Sequence, residues 1–370
     1  MVTVYLLFPI LYAGLLKWLK HGWLQSNTPD STKVSEKSVT VLLPFRNESQ
    51  NLEAVFQSIL RLNHRPLQVI FVDDHSTDEG RELLARYTRK NQDLDLQFLI
   101  LVSQGIGKKA AIETGINHAS GELILTTDAD CLLPEDWVEV FLQSFASESV
   151  QLVAGPVISR EKENFLQQFQ QIEWASILAV TRLGFQLKSP IMCSAANLAY
   201  RKNAFFSVNG YEDNRHHLSG DDEFLLKKIV QKFGEDSCIY HKNNIVLTKA
   251  EKSWNRLLSQ RSRWASKWNL HKGDIPHVGF TMVPFLVQLI FISSWGLLLQ
   301  GWLGLVLFLY IWGMKIAFEM GTLGAILNHF GLKQSFSAYL GSSFLHPFYV
   351  IAVGVKALFG KFEWKGRKSS

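Results

Sequence analysis

Residues 1–16 (MVTVYLLFPILYAGLL) contain no charged side chain, and Lys17, Trp18, Lys20 and His21 follow directly. A run of this length crosses a bilayer when the lysine reaches back to the surface and the tryptophan sits at the interface. A cleaved signal would carry positive charge ahead of its apolar run and a small-residue cleavage site behind it. Here the charge comes afterwards, so residues 1–20 read as a retained anchor that leaves the following chain in the cytosol. Residues 21–37 are polar, with Pro29, Ser31, Thr32 and Ser35, and read as a linker.

A repeating strand–helix texture then begins. Residues 39–43 predict a buried strand ending at Pro44, and residues 48–61 carry Leu52, Val55, Phe56, Ile59 and Leu60 on one helical face. Residues 67–72 predict a second strand running into Asp73-Asp74-His75-Ser76-Thr77-Asp78, with Ser76 or Thr77 as N-cap of the next helix. Residues 96–102 predict a third strand, and Gly105-Ile106-Gly107-Lys108-Lys109 opens a helix through Ile112 and Ile116. A fourth strand runs through Leu123 and Leu125 into Asp128-Ala129-Asp130, and Pro134 starts the helix that follows. Strands alternating with helices imply a parallel sheet whose ligands bind beyond the carboxyl ends of its strands. The polar loops 46–48, 73–78 and 128–130 all follow strands, so they fall on one rim of that sheet.

Residues 151–250 read as mixed α/β with less regular patterning. Within them Ser194-Ala195-Ala196-Asn197 precedes a short apolar run, and Gly220-Asp221-Asp222-Glu223 opens an amphipathic helix. Residues 254–269 predict a helix with Leu257, Leu258, Trp264 and Trp268 near one face and Arg256, Arg261, Arg263 and Lys267 elsewhere, as expected at a lipid surface. Residues 278–314 carry no formal charge and divide near Gln300-Gly301, which predicts a hairpin of two membrane spans. The stretch holding Lys315, Glu319 and His329 is amphipathic, and residues 335–355 form another uncharged run containing His346 and Pro347. The basic tail, 361–368, belongs in the cytosol, which requires an odd number of crossings. Either the 335–355 run is re-entrant or the amphipathic stretch adds a crossing.

Charge and cysteine content narrow the function classes. A net charge of +5 over 370 residues suits contact with anionic lipid or phosphate, but no Lys/Arg block is dense enough for nucleic acid. Cys131, Cys193 and Cys238 lack metal-like spacing, and their odd number argues for reduced thiols in a cytosolic compartment. Asp128 and Asp130 are two residues apart, so an extended chain places both on one side, where they can converge on a hard cation. One or two carboxylates with substrate phosphates completing the shell is the usual Mg2+ arrangement. The same pair also occurs in helix caps and solvated turns.

Pro44-x-Arg46-Asn47-Glu48, Val72-Asp73-Asp74-x-Ser76-x-Asp78, Gly107-Lys108, Asp128-x-Asp130, Gly220-Asp221-Asp222 and Gln260-x-x-Arg263-Trp264 occur in this order. Together they resemble a glycosyltransferase family 2 enzyme over roughly residues 38–270. The layout beside membrane segments is similar to hyaluronan, chitin and cellulose synthases and ceramide glucosyltransferases. The resemblance implies the GT-A fold: a mixed, mostly parallel sheet flanked by helices, with N-terminal and C-terminal transmembrane helices. The expected domains are a GT-A domain over 38–250, an interfacial helix over 251–275, a membrane region over 276–360 and a tail over 361–370.

By that resemblance Pro44, Arg46, Glu48, Asp73 and Asp74 hold the nucleoside, with Asp74 reading the base edge, and Lys108 lies near the nucleotide. Lys109 is one residue off and reads as a solvated surface charge. Asp128 and Asp130 would bind Mg2+ or Mn2+ bridging the diphosphate. Arg263 would clamp the leaving group, Gln260 and Trp264 would line the acceptor subsite, and Asp222 would be the base of an inverting transfer. Asp221 falls behind that base, and Asn197 shapes the acceptor or sugar pocket. His216 and His217 sit just before the base, on a surface loop. The structural alternatives are helix-start charge for Glu48, Asp78 and the Asp221/Asp222 pair, and lipid-headgroup binding for Arg263.

The implied activity is transfer from a UDP-type donor to a lipid or glycan at the cytosolic face of a bacterial inner membrane, with no nucleic-acid partner. A processive polysaccharide synthase that also exports its product is the alternative. A sugar-nucleotide pyrophosphorylase or an inactive membrane scaffold are readings from other classes.

Overall fold

The computed structural model describes residues 2–25, 35–65, 67–91, 95–215, 220–266, 275–359, 363–364 and 367–368. Helix α1 (Val2–Leu24) leads to strand β1 (Val39–Phe45), α2 (Ser49–Leu60), β2 (Leu67–Asp73), α3 (Gly80–Lys90), β3 (Leu96–Val102), α4 (Lys108–His118), β4 (Leu123–Thr126) and α5 (Trp137–Ser144). Every residue of β1, β2 and β4 is buried, as the unbroken apolar runs of a parallel sheet covered on both faces require. Then follow β5 (Leu152–Ala154), β6 (Val157–Ser159), α6 (Phe165–Gln186), β7 (Leu198–Arg201), α7 (Lys202–Ser207), α8 (Asp221–Phe233), β8 (Cys238–Tyr240) and β9 (Val246–Thr248). The main sheet has the order β3-β2-β1-β4-β7-β5-β8. Strand β7 runs antiparallel to both neighbours, while β1 to β4 pair in parallel.

Pro44 lies inside β1, where the sequence places it at the strand's end. Its cost vanishes through register. The Leu42 carbonyl faces β4 and accepts from Thr127 N, so Pro44, two residues on, faces the same side after the β4 ladder has ended. The cap expected from Ser76 or Thr77 is not used. Ser76 Oγ accepts from Asn47 N and Thr77 bonds the Asn47 side chain, while Asp78 takes the amides of Ser49 and Gly80 and ties α2 to α3. The helix expected from Pro134 begins at Trp137.

Helix α6 was not anticipated as an element. Its start is a capping box: Asn164 Oδ1 accepts from Gln167 N, and Gln167 Oε1 accepts from Asn164 N. It lies between the sheet and the membrane helices, touching α1 and the two last helices of the chain.

The C-terminal half holds α9 (Trp254–Ser266), α10 (Ile275–Ser293), a 3-10 turn (Ser294–Leu299), α11 (Gly301–His329) and α12 (Phe336–Phe359). Helices α1, α10, α11 and α12 contain segments long and apolar enough to cross a membrane. The break predicted at Gln300-Gly301 is present, with Gly301 at φ +72°. The amphipathic stretch is no separate crossing but the second half of α11. Its charges look out of place in sequence because Lys315 and Glu319, one turn apart, pair inside the bundle, where Tyr12 and Ser343 also donate to Glu319. Helices α1 and α11 run parallel, since Tyr310 bonds the Leu6 carbonyl, Tyr12 bonds Glu319, and Thr322 bonds the Leu16 carbonyl.

The C-terminal end of α1 is gripped by the α/β domain. Arg182 donates to the carbonyls of Gly22 (3.0 Å) and Gln25 (2.6 Å), Gln186 to Gly22 (2.8 Å), and Lys242 to Trp23 (3.0 Å) and Gln25 (2.9 Å). Two cations on the last carbonyls also complement the negative end of the helix dipole. Helix α12 is tied down near both ends, at α6 and at α9. Gly341 lies so close to Phe165 that a Cβ would stand 2.8 Å from its ring, and Lys356 donates to Ser259 of α9 at 2.7 Å.

Candidate active site

A cavity of about 1330 Å3 opens beyond the carboxyl ends of β1, β2 and β4. This exceeds the roughly 300–1,000 Å3 of an ordinary small-molecule pocket and leaves room for two substrates. Twelve of the fourteen residues selected from the sequence line it: Pro44, Arg46, Glu48, Asp74, Lys108, Asp128, Asp130, Asp221, Asp222, Gln260, Arg263 and Trp264. They come from six separate loops and helix ends.

The first wall is built by the turns after β1 and β2. Arg46 donates to the carbonyls of Asp74 (2.7 Å) and His75 (2.8 Å), locking the two turns together. Asp74 Oδ1 accepts from Gly107 N at 2.9 Å, which fixes the entry to α4. Gly107 has φ +100°, a conformation that favours glycine and aims the start of α4 at the cavity. Lys108 follows and forms ion pairs with Asp128 at 2.6 Å and Asp221 at 3.3 Å. Burial alone would lower its pKa, but Asp128, Asp221 and Asp222 outweigh that and raise it, so the ammonium stays charged.

Strand β4 ends two residues before Asp128. The convergence of Asp128 and Asp130 therefore comes from the turn Asp128–Cys131, closed by Cys131 N on the Asp128 carbonyl at 3.2 Å, and not from strand alternation. Among the described residues no three His, Cys, Asp or Glu side chains form a metal cage. Two carboxylates at the mouth of a large cavity fit a hard divalent cation whose shell is completed by phosphate oxygens and water. Cys131 takes no part as a thiolate, because burial, with Asp130 and Asp128 adding to it, pushes its thiol up.

Opposite stands the first turn of α8, after Gly220 in the left-handed conformation at φ +87°. Asp222 Oδ2 accepts from Ala195 N at 3.3 Å and Oδ1 from Glu223 N at 2.8 Å. The third wall is α9. Burial lowers the Arg263 guanidinium, while Asp221, Asp128 and Asp222 act in the opposite direction. Gln260 serves a brace: Nε2 donates to Glu251 at 2.8 Å and Oε1 accepts from Arg261.

Two selected residues do not reach the cavity. Asp73 turns back into its own loop, where Oδ1 accepts from Ser76 N at 2.8 Å. Asn197 is fully buried, its side chain engaged by Trp137 Nε1 at 2.9 Å and by the carbonyls of Pro156 and Asn244. Both sit where a turn or corner needs a satisfied polar group. Lys109 is not a solvated charge either. It is buried, donates to the Asn214 carbonyl at 2.7 Å and lies over the Phe224 ring. His216, His217, Lys267 and Trp268 lie outside the described residues.

Sequence reasoning missed the brace behind α9. Arg261 grips Glu173 of α6 with two bonds of 3.0 and 2.9 Å, Tyr349 donates to the same carboxylate at 2.7 Å, and the guanidinium lies over the Trp174 and Trp264 rings at 4.8 and 4.2 Å. It also missed Lys249 and Glu251, brought to the rim because Leu247 pairs with Leu132, next to the acidic turn.

Residues 40–206 match the family model "Glycosyl transferase family 2". The poly-beta-1,6-N-acetyl-D-glucosamine synthase of Staphylococcus aureus (strain COL) is 27% identical over 187 residues, 50% of this chain and 44% of that protein. This match thus spans less than half the relative's length. The enzyme of the same name from Staphylococcus epidermidis is 25% identical over 325 residues, 87% of this chain and 74% of that protein. Among solved structures, the mannosyltransferase PcManGT from Pyrobaculum calidifontis, determined with GDP-Man and Mn2+, shares the fold with a TM-score of 0.59 at 19% identity, over 97% of this chain and 96% of that one. With its sheet and these matches, the chain has the GT-A fold and carries a glycosyltransferase family 2 domain over residues 40–206.

Proposed function

We propose that the protein is a membrane-bound, metal-dependent, inverting transferase that moves a sugar from a nucleoside-diphosphate donor, of the UDP type, to a lipid or glycan at the cytosolic membrane face. One observation carries the reading: Asp128, Asp130, Asp221 and Asp222 share a single cavity with Lys108 and Arg263, and that cavity continues between membrane helices. Pro44, Arg46, Glu48 and Asp74 form the nucleoside end. Asp128 and Asp130 would hold Mg2+ or Mn2+, which when bound neutralises charge on the departing diphosphate. Lys108 and Arg263 supply fixed positive charge to the same leaving group. Asp222, oriented by Ala195 N, takes the proton of the acceptor hydroxyl as its oxygen attacks the anomeric carbon opposite the diphosphate. Trp264 presents an apolar face to the acceptor, and Asp221 keeps Lys108 in place. The GDP-Man and Mn2+ of the archaeal mannosyltransferase support a nucleotide-sugar donor and a divalent ion.

Thermal unfolding of the detergent-purified protein against UDP-, GDP- and CDP-sugars with Mn2+ tests this. A UDP-sugar at a hundred times its Kd should raise Tm by roughly 5 °C, and chelation should abolish the rise. No shift with any nucleotide sugar ends the proposal. The similarity to polysaccharide synthases favours a second reading, a processive polymerase. A radiolabelled donor separates the two, since a short lipid-linked product excludes the polymerase.

The proposed orientation turns on α12. We infer that α1, α10 and α11 cross, and that α12, whose Gly341 packs on Phe165 and whose Lys356 bonds Ser259 of α9, returns to the face from which it starts. Three crossings leave the catalytic domain and the basic tail on one side. A cysteine placed at Ser370 should resist an impermeant maleimide in intact cells and react after permeabilisation; labelling of intact cells rejects this topology.

A further inference from the structure

The cavity does not end at the acidic cluster. Its far half is walled by Leu15 and Leu19 of α1 and by Val283 and Val287 of α10, and Leu15 and Val283 are exposed. Helices α1 and α10 meet at their outer ends, where Tyr5 bonds Ser293 at 3.0 Å and Phe8 packs edge-on against Phe291 at 4.9 Å. Nearer the catalytic domain their facing apolar side chains line the cavity instead.

Two buried polar groups open onto this half. Gln288 of α10 is 5% exposed and Ser342 of α12 is 3% exposed. Gln288 Oε1 and Ser342 Oγ have no hydrogen-bond partner among the described residues. Other serines of this bundle satisfy themselves, as Ser293 and Ser294 do on carbonyls three residues back. Leaving such atoms unmet forfeits the hydrogen bonds they make to water in the unfolded chain. Local charge is already balanced, because Lys315 pairs with Glu319 and Arg261 with Glu173. A phosphate dianion offers acceptor oxygens only, so it cannot donate to Gln288 Oε1 and would add negative charge beside Glu319. A hydroxyl or an amide N–H satisfies it without adding charge.

We propose that this half of the cavity seats the transferase's acceptor. That acceptor is an uncharged amphiphile whose hydroxyl- or amide-bearing head bonds Gln288 and Ser342 and whose hydrocarbon leaves between α1 and α10. The inference rests on the transferase reading above and narrows its acceptor to a neutral lipid rather than a lipid phosphate.

The test is photolabelling of the full-length protein in nanodiscs with a photoactivatable diacylglycerol, which needs no turnover. Label should map to residues 283–288 and 342–346 and be displaced by unlabelled diacylglycerol but not by a polyprenyl phosphate. The Gln288→Leu/Ser342→Ala variant should bind the probe about tenfold more weakly, as expected for two lost hydrogen bonds, while unfolding no lower than the wild type. Equal displacement by the polyprenyl phosphate, label mapping elsewhere, or wild-type labelling of the variant overturns the proposal. The competition arm stands even if the variant fails to fold. Failure of nucleotide sugars to shift Tm would instead remove the transferase reading and leave the labelling result intact, so the two failures are distinguishable.

Discussion

Asp222→Asn is expected to lower kcat about a thousandfold, within the range of a lost general base, while the donor-induced rise in Tm stays within experimental error. Asparagine keeps the shape and one of the two acceptor oxygens that Ala195 N and Glu223 N use, so the wall of the cavity survives with one bond fewer. It cannot take a proton from the acceptor. Asp221→Asn should behave differently, because Asp221 is largely buried against Lys108 and its loss weakens the hold on that ammonium and with it donor affinity. Single-turnover transfer assays with donor titration separate the two. If Asp222→Asn keeps more than about a tenth of wild-type turnover, far above that range, Asp222 is not the base.

Arg261→Leu is expected to cost about 3–5 kcal/mol, the usual penalty for stranding one member of a buried ion pair. Glu173 would keep its Tyr349 bond but lose two charge-assisted bonds in a site where only 8% of its side chain is exposed. Because Arg261 also lies over the Trp264 ring, acceptor KM should rise even at temperatures where the variant remains folded. Arg261→Leu/Glu173→Leu should recover much of the stability but not the acceptor KM. Unfolding in detergent checks the first part and steady-state kinetics the second. A loss below about 1 kcal/mol would place the pair in the class of solvated bridges and remove the brace.

Local signals found the parts of this molecule that are local. Apolar runs with turn residues at their ends located β1 to β4, and the strand-then-loop order put Arg46, Asp74 and Asp128 on one rim because a parallel sheet has one such rim. Where the reading failed, the deciding contact was a pairing that residue type and spacing do not reveal. Asp73 and Asp74 are identical in sequence terms, yet one faces Ser76 and the other Gly107. Asn197 looks like a pocket residue until Trp137, Pro156 and Asn244 close around it. Arg261 stands two positions from Arg263, and nothing local tells that it belongs to Glu173, 88 residues earlier. Only α6 carried a missed local signal, the Asn164-to-Gln167 start.

The parallel pairing of α1 with α11 has a bearing on biosynthesis. Tyr12 and Leu16 find their partners 307 and 306 residues later. At about 5–20 residues per second, the ribosome needs roughly 15–60 s to supply them. Through that interval the first helix waits in the bilayer with a tyrosine hydroxyl unmet, while the sheet can already assemble beneath it and Arg182 and Lys242 can seize its end. The anchor is thus the earliest segment made and among the last to be completed, and a nascent chain halted at the Gln300 turn would carry a finished enzyme head on an orphaned stem.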